Sequence, residues 1–103
     1  MSNEKVPYEW TKWLAEESGN NSIYLLCMRN ALPDIMDTEL TDIQKQYVEM
    51  RFYRHMTLQE IADEMGIDRS TVSKTLKRAL MNMKKALDYV YLGAKISADA
   101  DEY

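Results

Sequence analysis

Apolar residues recur at spacings of three and four along most of the chain, which predicts helices rather than strands. In the first third, the pattern predicts one helix over residues 7–17 and a second from about residue 22 to residue 30. Pro33 should end the second helix, because a proline ring clashes with the preceding helical turn. Residues 33–40 mix turn formers with two apolar residues, and we expect them to form a connector.

Two capping boxes predict where later helices begin. Thr41 is followed three residues later by Gln44, and Thr57 by Glu60, a spacing that satisfies two free N–H groups at a helix start. Together with the apolar spacing, these signals predict a third helix from residue 42, a fourth over 58–65 and a fifth from 69 to about 92. Gly93 should end the fifth helix as a left-handed C′ residue.

The predicted fold class is therefore all-α, with about five helices. We expect three parts: an N-terminal helical segment (1–39) that covers the core or dimerises, a helix-turn-helix domain (40–93) and a disordered tail (94–103). The chain of 103 residues is 46 % hydrophobic and holds only three Gly and two Pro, which suits a small helical domain.

Composition argues against several classes of function. Cys27 is the single cysteine and His55 the single histidine, so the sequence predicts no disulfide, no metal site and no cofactor. No pattern of catalytic residues is visible, so we expect no enzyme. The sequence shows neither a secretory leader nor an apolar run of membrane length, which favours a cytoplasmic location without membrane contact.

The charge distribution concentrates positive charge in one short segment. The formal net charge is −4, yet residues 66–87 carry six Lys or Arg and one acid, a local charge of +5. The residues before this segment sum to −6 and those after it to −3. A basic stripe of this kind is typical of phosphate binding. A solvated helix face explains the stripe equally well when it is considered alone.

The segment 57–76, TLQEIADEMGIDRSTVSKTL, fits the steric needs of a helix-turn-helix. A small residue, Ala62, stands where the two helices should cross, and Gly66 stands where the chain must turn with positive φ. The predicted inward residues supply a core face on both helices: Leu58, Ile61, Met65, Ile67, Val72, Leu76 and Leu80.

The second helix of this motif is the element that enters the major groove of double-stranded DNA. With its apolar residues inward, its outward residues are polar or basic: Arg69, Ser70, Ser73, Lys74, Lys77 and Arg78. Such side chains can donate to guanine or to phosphate. Thr57 should place the start of the first helix on the DNA backbone. Arg51 and Arg54 either flank the same phosphates or are solvated surface residues.

Residues 40–87 resemble region 4 of bacterial sigma factors of the sigma-70 family. The shared features are LT at a helix start, an Arg–Phe segment within 48–53, TLQEIA, GI, DRSTVS and the KRAL run. The resemblance implies that Arg69, Ser70, Ser73 and Lys74 read a promoter element and that Thr57 contacts the backbone. Ser70 and Ser73 depart from the charged or amide side chains that the family often has there, so base preference does not transfer.

The resemblance also implies RNA polymerase core as a partner. We expect a stand-alone regulator, because residues 1–39 are too short to hold region 2, the part of a sigma factor that melts the promoter. Three functions stay open: a homodimeric regulator on a two-fold DNA site, a sigma-like polymerase subunit or adaptor, and a protein-interaction module without DNA binding. Two sets of residues are candidates for the dimer interface: the N-terminal aromatics and the apolar side of the fifth helix (Leu80, Met83, Leu87, Val90 and Tyr91).

Overall fold

The computed structural model describes residues 6–19 and 21–100, with side chains through residue 97. These segments contain five α-helices and one π-helical segment: α1 (Tyr8–Glu17), α2 (Ser22–Glu39), α3 (Asp42–Val48), the π-helical segment (Glu49–Tyr53), α4 (Leu58–Met65) and α5 (Arg69–Ala100). No strand occurs within the described residues, so the predicted all-α class is confirmed.

Helix α1 starts behind a proline and brings an aromatic side chain onto the core. The carbonyl of Pro7 accepts hydrogen bonds from the N–H groups of Trp10 and Thr11, and a proline suits this position because its missing N–H would have no helical partner. Gly19, with φ 66°, follows the helix. The indole of Trp10 is buried and packs edge-on against the ring of Phe52, with 5.6 Å between centroids. This N-terminal aromatic therefore covers the core within its own chain.

Helix α2 is longer than the sequence predicts. It continues through Pro33 to Glu39, so the expected connector at residues 33–40 is wrong. A proline inside a helix costs about 3 kcal/mol, because it removes one hydrogen bond and crowds the preceding turn. Ile35 and Met36 lie on the core side and are 7 % and 6 % exposed. Burial of two such side chains contributes about 1.5–3 kcal/mol each, which offsets the cost of the proline.

A π-helical turn, which the apolar spacing does not predict, leads from α3 towards α4. The N–H of Arg54 donates to the carbonyl of Glu49 at 3.0 Å, five residues back, and the N–H of Met56 donates to the carbonyl of Met50 at 3.0 Å. His55 follows the wide turn with φ 56°, a left-handed conformation that is uncommon outside glycine. The chain therefore bends at this point, before α4 begins.

Helix α5 spans most of the molecule. Its 32 residues give a length of about 48 Å in a molecule that measures 57 × 22 × 20 Å. The helix passes through Gly93, so the predicted end at that residue is wrong; residues 94–100 of the expected tail are helical, and 101–103 lie outside the described residues. A glycine lowers helix stability by only about 1 kcal/mol. Tyr91 and Ala94 on either side pack against the core and hold the helix together.

A hydrogen-bonded pair of side chains joins α2 to the second half of α5. The hydroxyl of Tyr24 donates to Oδ1 of Asp88 at 3.1 Å, and the Nζ of Lys84 donates to Oδ2 of the same carboxylate at 2.9 Å. Burial raises the pKa of the Tyr24 hydroxyl, and the neighbouring charge of Asp88 raises it further. The ring of Tyr24 also meets the ring of Tyr91 edge-on, at 5.3 Å between centroids.

The apolar side of α5 is used inside the chain. Met83 and Leu87, which the sequence offered as dimer contacts, are fully buried in the core, and Leu80 and Tyr91 pack against the same cluster. Val90 stays 40 % exposed. These contacts fix the rotation of α5 about its axis, and so decide which side chains of its first turns face outward.

Candidate nucleic-acid interface

The turn between α4 and α5 is closed by one carbonyl. Gly66 has φ 68° and ψ 36°, the left-handed conformation predicted for it. The carbonyl of Ala62 accepts from the N–H of Gly66 and, at 3.0 Å, from the N–H of Ile67. Ala62 is buried, so its small side chain lets the two helices approach closely, as the sequence predicts. The turn therefore holds α4 and α5 at a fixed mutual angle.

The inward face of the motif is anchored as predicted. Ile61 on α4 and Val72 on α5 are fully buried, and Leu76 is 9 % exposed. Leu58, Met65, Ile67 and Leu80 are partly buried and pack against the same core. An element anchored on one side presents its opposite side in a defined orientation, which a reader of DNA grooves requires.

The outward face of α5 consists of the six residues that the sequence selected, and all six are exposed: Arg69, Ser70, Ser73, Lys74, Lys77 and Arg78. Among the described residues, none of its four cations makes an ion pair. Their charges are therefore available to an external anion. The structure brings these six side chains to one end of one helix.

Thr71 is a candidate that the sequence analysis missed. It is exposed in the first turn of α5, three residues before Lys74 and seven before Arg78. Residues at these spacings lie on one side of a helix, so the threonine hydroxyl borders the outward face. The spacing of Thr71 to Lys74 and Arg78 is visible in the sequence and could have identified this threonine.

Thr57 starts α4 with the predicted capping box. Its Oγ1 accepts from the N–H of Glu60 at 3.1 Å, and its own N–H donates to Oε1 of Glu60 at 2.8 Å. The backbone N–H of Thr57, followed by its side chain, lowers the pKa of the Glu60 carboxyl. The capping box occupies two of the amides at this end, while those of Leu58 and Gln59 precede the first helical hydrogen bond, from Ile61 N–H to the Thr57 carbonyl.

Arg51 supports the segment that leads into α4. Its Nη1 donates to the carbonyl of Met56 at 3.0 Å, next to Thr57. The guanidinium therefore has a structural partner, in addition to its exposure at the surface. Arg54 is also exposed, at the end of the π-helical turn. The sequence left two roles open for Arg51, phosphate contact or solvation at the surface. The structure adds a third role: the bond to Met56 holds the backbone just before α4.

Lys84, within the basic segment, already has an acidic partner. This lysine is bound to Asp88 by an i, i+4 ion pair of 2.9 Å and belongs to the polar link between α2 and α5. It therefore differs from the unpaired cations of the outward face. One of the six cations counted in the +5 segment is therefore paired within the chain.

The described residues include no group of three or more His, Cys, Asp or Glu that could hold a metal ion. Cys27 is a buried free thiol. In the part of the chain that the structure describes, no helix is long and apolar enough to cross a membrane.

Comparison with known proteins supports the assignment of the motif. Residues 38–85 match the family "Sigma-70, region 4". The RNA polymerase sigma-G factor of Clostridium acetobutylicum is 45 % identical over 47 residues, which are 46 % of this chain and 18 % of that protein. The RNA polymerase sigma-F factor of Bacillus licheniformis is 26 % identical over 87 residues, 84 % of this chain and 32 % of that protein. No solved structure matches the chain.

The chain thus spans less than a third of the length of each of these two relatives. The resemblance of residues 40–87 to sigma region 4 is confirmed. This likeness includes the helix-turn-helix segment, on which the outward face lies.

Proposed function

We propose that this chain, whose residues 38–85 match sigma-70 region 4, is a sequence-specific DNA-binding regulator of transcription. The outward face of α5 enters the major groove, where Arg69, Ser70, Ser73 and Lys74 contact base edges and Lys77 and Arg78 contact phosphates. The observation that carries the proposal is the coincidence of an anchored inward face with an exposed, unpaired basic face on one helix.

Thr57 takes the second role in this proposal. The amides of Leu58 and Gln59 precede the first helical hydrogen bond of α4, and amides at a helix start favour a phosphate oxygen. The carboxylate of Glu60 stands at the same end and opposes an anion there. We therefore assign most of the phosphate affinity to the cations of α5 and a positioning contact to α4.

The experiment that tests the proposal is selection of bound sequences from random double-stranded DNA with the full chain. We expect enrichment of a defined short motif, as suits one recognition helix. Recovery of the starting pool, with no enrichment at low salt, would contradict sequence-specific binding and favour an interaction module without DNA binding.

The second candidate function is a sigma-like RNA polymerase subunit or adaptor. It is favoured by the two named relatives, both of which are RNA polymerase sigma factors. Binding of purified core RNA polymerase to the immobilised chain distinguishes the two functions. Saturable binding to the core enzyme would support the subunit, whereas DNA binding without it would support the independent regulator.

The same selection experiment tests whether the chain binds DNA as a homodimer. Two copies on a two-fold site would yield an inverted repeat whose halves are about 34 Å apart, one helical turn of DNA. Since Met83 and Leu87 are buried within the chain, such a dimer must use another surface. A single asymmetric motif, together with monomeric sedimentation on DNA, would exclude it. DNA binding in either form agrees with the cytoplasmic location expected from the sequence.

A further inference from the structure

An open apolar groove runs between α1 and α2, outside the helix-turn-helix. One stretch of it, with a volume of about 390 Å³, is lined by Val6, Tyr8, Thr11, Leu25, Met28, Arg29 and Leu32. An adjoining stretch shares four of these residues and continues along α1 past Lys12 and Ala15. No residue of α4 or α5 lines either stretch, so the α1–α2 groove is separate from the proposed DNA interface.

The lining follows helical spacing on both walls. On α2 the groove residues are Leu25, Met28 and Leu32, which stand three and four apart; on α1 they include Tyr8 and Ala15, seven apart. Each wall therefore offers two helical turns, about 10 Å of length, to an occupant. Two neighbouring helices with apolar residues at these spacings can bind a third helix between them. Amphipathic helices that bind in grooves place their own apolar residues at the same spacings.

The exposed apolar surface of this groove is unusual for a helix that faces only water. Leu25 is 36 % exposed and Tyr8 is 73 % exposed, whereas the floor residues Met28 and Leu32 are 7 % and 1 % exposed. A ligand that covered the groove would remove the first two side chains from water. Burial of apolar area at about 25 cal/mol per Å² favours such an occupant.

The charges at the groove indicate the chemistry of the occupant. The first 65 residues carry a net charge of −6, yet the groove lining holds Lys12 and Arg29 against one acid, Glu16. Within the described residues neither of these two cations makes an ion pair. Cations without partners beside an apolar floor are complementary to an apolar stripe flanked by carboxylates.

We propose that the α1–α2 groove binds an acidic amphipathic helix of a partner protein. The apolar stripe of that helix packs on Leu25, Met28 and Leu32, and its flanking carboxylates pair with Lys12 and Arg29. This surface allows the chain to hold a second protein while α5 holds DNA. The inference does not depend on DNA binding, because the two surfaces share no residue.

The test uses two synthetic peptides of about 18 residues, long enough to form helices in isolation. Both carry leucines on one face; one has glutamates on the flanks and the other has lysines at the same positions. Binding to the full chain is measured by fluorescence anisotropy of the labelled peptide, and the contacted residues by amide chemical shifts. We expect the glutamate peptide to bind at least about tenfold more tightly and to shift amides of α1 and α2.

Two adjacent leucines of α2 supply the matched control. Leu25 lines the groove, whereas Leu26 is 58 % exposed and does not line it. Leu25→Ser should weaken binding about fivefold or more, and Leu26→Ser should leave the affinity unchanged. Arg29→Glu should reverse the preference between the two peptides. An unchanged far-ultraviolet circular dichroism spectrum and an unchanged urea midpoint of unfolding for each variant show that its fold is intact.

Several results would overturn the proposal: equal affinity for the two peptides, equal effects of the two leucine variants, or shifts confined to α5. Saturable binding of decanoate at the groove, with both peptides inactive, would assign the groove to a small amphipathic acid and would also refute a helical partner. Failure of DNA selection leaves this peptide experiment unaffected, so the two proposals can fail separately.

Discussion

The N–H of Ile67 donates to the carbonyl of Ala62 at 3.0 Å, across a left-handed Gly66. This bond closes the turn between α4 and α5 and draws the partly buried side chain of Ile67 against the core. Because α5 begins two residues later, the geometry at one glycine sets the direction of the whole outward face.

Gly66→Ala should therefore destabilise the protein by about 1 kcal/mol. An added Cβ at Gly66 would meet no atom within 4 Å, so the cost arises from the positive φ and not from a clash. The measurement is the free energy of unfolding in urea, compared with that of the unaltered chain.

Gly93→Ala is the matched control for this variant. A Cβ at Gly93 also meets nothing within 4 Å, but this glycine lies inside α5 without a positive φ. Alanine should therefore raise the free energy of unfolding by about 0.5–1 kcal/mol. Loss of stability in both variants to the same extent would contradict the account of the turn.

The two capping boxes should respond differently to acid. Thr57→Ala and Thr41→Ala should each cost about 1 kcal/mol at pH 7, because each removes a cap from a helix start. The pKa of Glu60 is lowered in the folded chain, so the stability from its carboxylate is present above the ordinary pKa and is lost as pH falls through the lowered value. Alanine keeps the backbone N–H that lowers this pKa most and removes only the smaller contribution of the side chain, so the cost of Thr57→Ala should shrink slightly in acid.

Thr41 provides the internal comparison, because its partner Gln44 does not ionise. Unfolding in urea at pH 7 and at about pH 3 gives the cost of each variant under both conditions. The cost of Thr41→Ala should stay constant. A parallel change in the two variants would show that the acid effect does not come from Glu60.

Tyr24→Phe should destabilise the chain by about 1 kcal/mol at neutral pH, because it removes the donor to Asp88. The pKa of Tyr24 is raised in the folded state, so its stabilising effect is complete below the unfolded value of about 10 and is lost as pH rises above it. The difference in the free energy of unfolding between the unaltered chain and Tyr24→Phe should therefore narrow by about 1 kcal/mol at pH 11, measured by unfolding in urea. Tyr89 is 68 % exposed, so Tyr89→Phe should change the free energy of unfolding little at either pH.

The parts of the fold that the sequence predicts correctly depend on local signals. Both capping boxes, the left-handed Gly66 and the spacing of Val72 and Leu76 act within one or two helical turns. The same spacing predicts the outward face, because side chains opposite a buried row must be exposed. The role of the outward residues in DNA binding stays a prediction.

The parts that the sequence does not predict depend on contacts between distant elements. Pro33 and Gly93 resemble helix ends in the sequence. The helices continue through them because Ile35 and Met36 beyond Pro33, and Tyr91 near Gly93, pack on the core. The π-helical turn and the bond from Arg51 to the carbonyl of Met56 also lack a local signal. The α1–α2 groove depends on how two helices pack and could not be read from either alone.

The most direct test of the central claim is the salt dependence of DNA affinity for the unaltered chain, Lys74→Ala and Lys95→Ala. Lys74 belongs to the outward face, and Lys95 is an exposed lysine near the other end of the same helix. If α5 binds DNA through the outward face, Lys74→Ala lowers the slope of log affinity against log salt by about one, and Lys95→Ala leaves it unchanged. Equal slopes for all three chains, or no binding at low salt, would contradict the account.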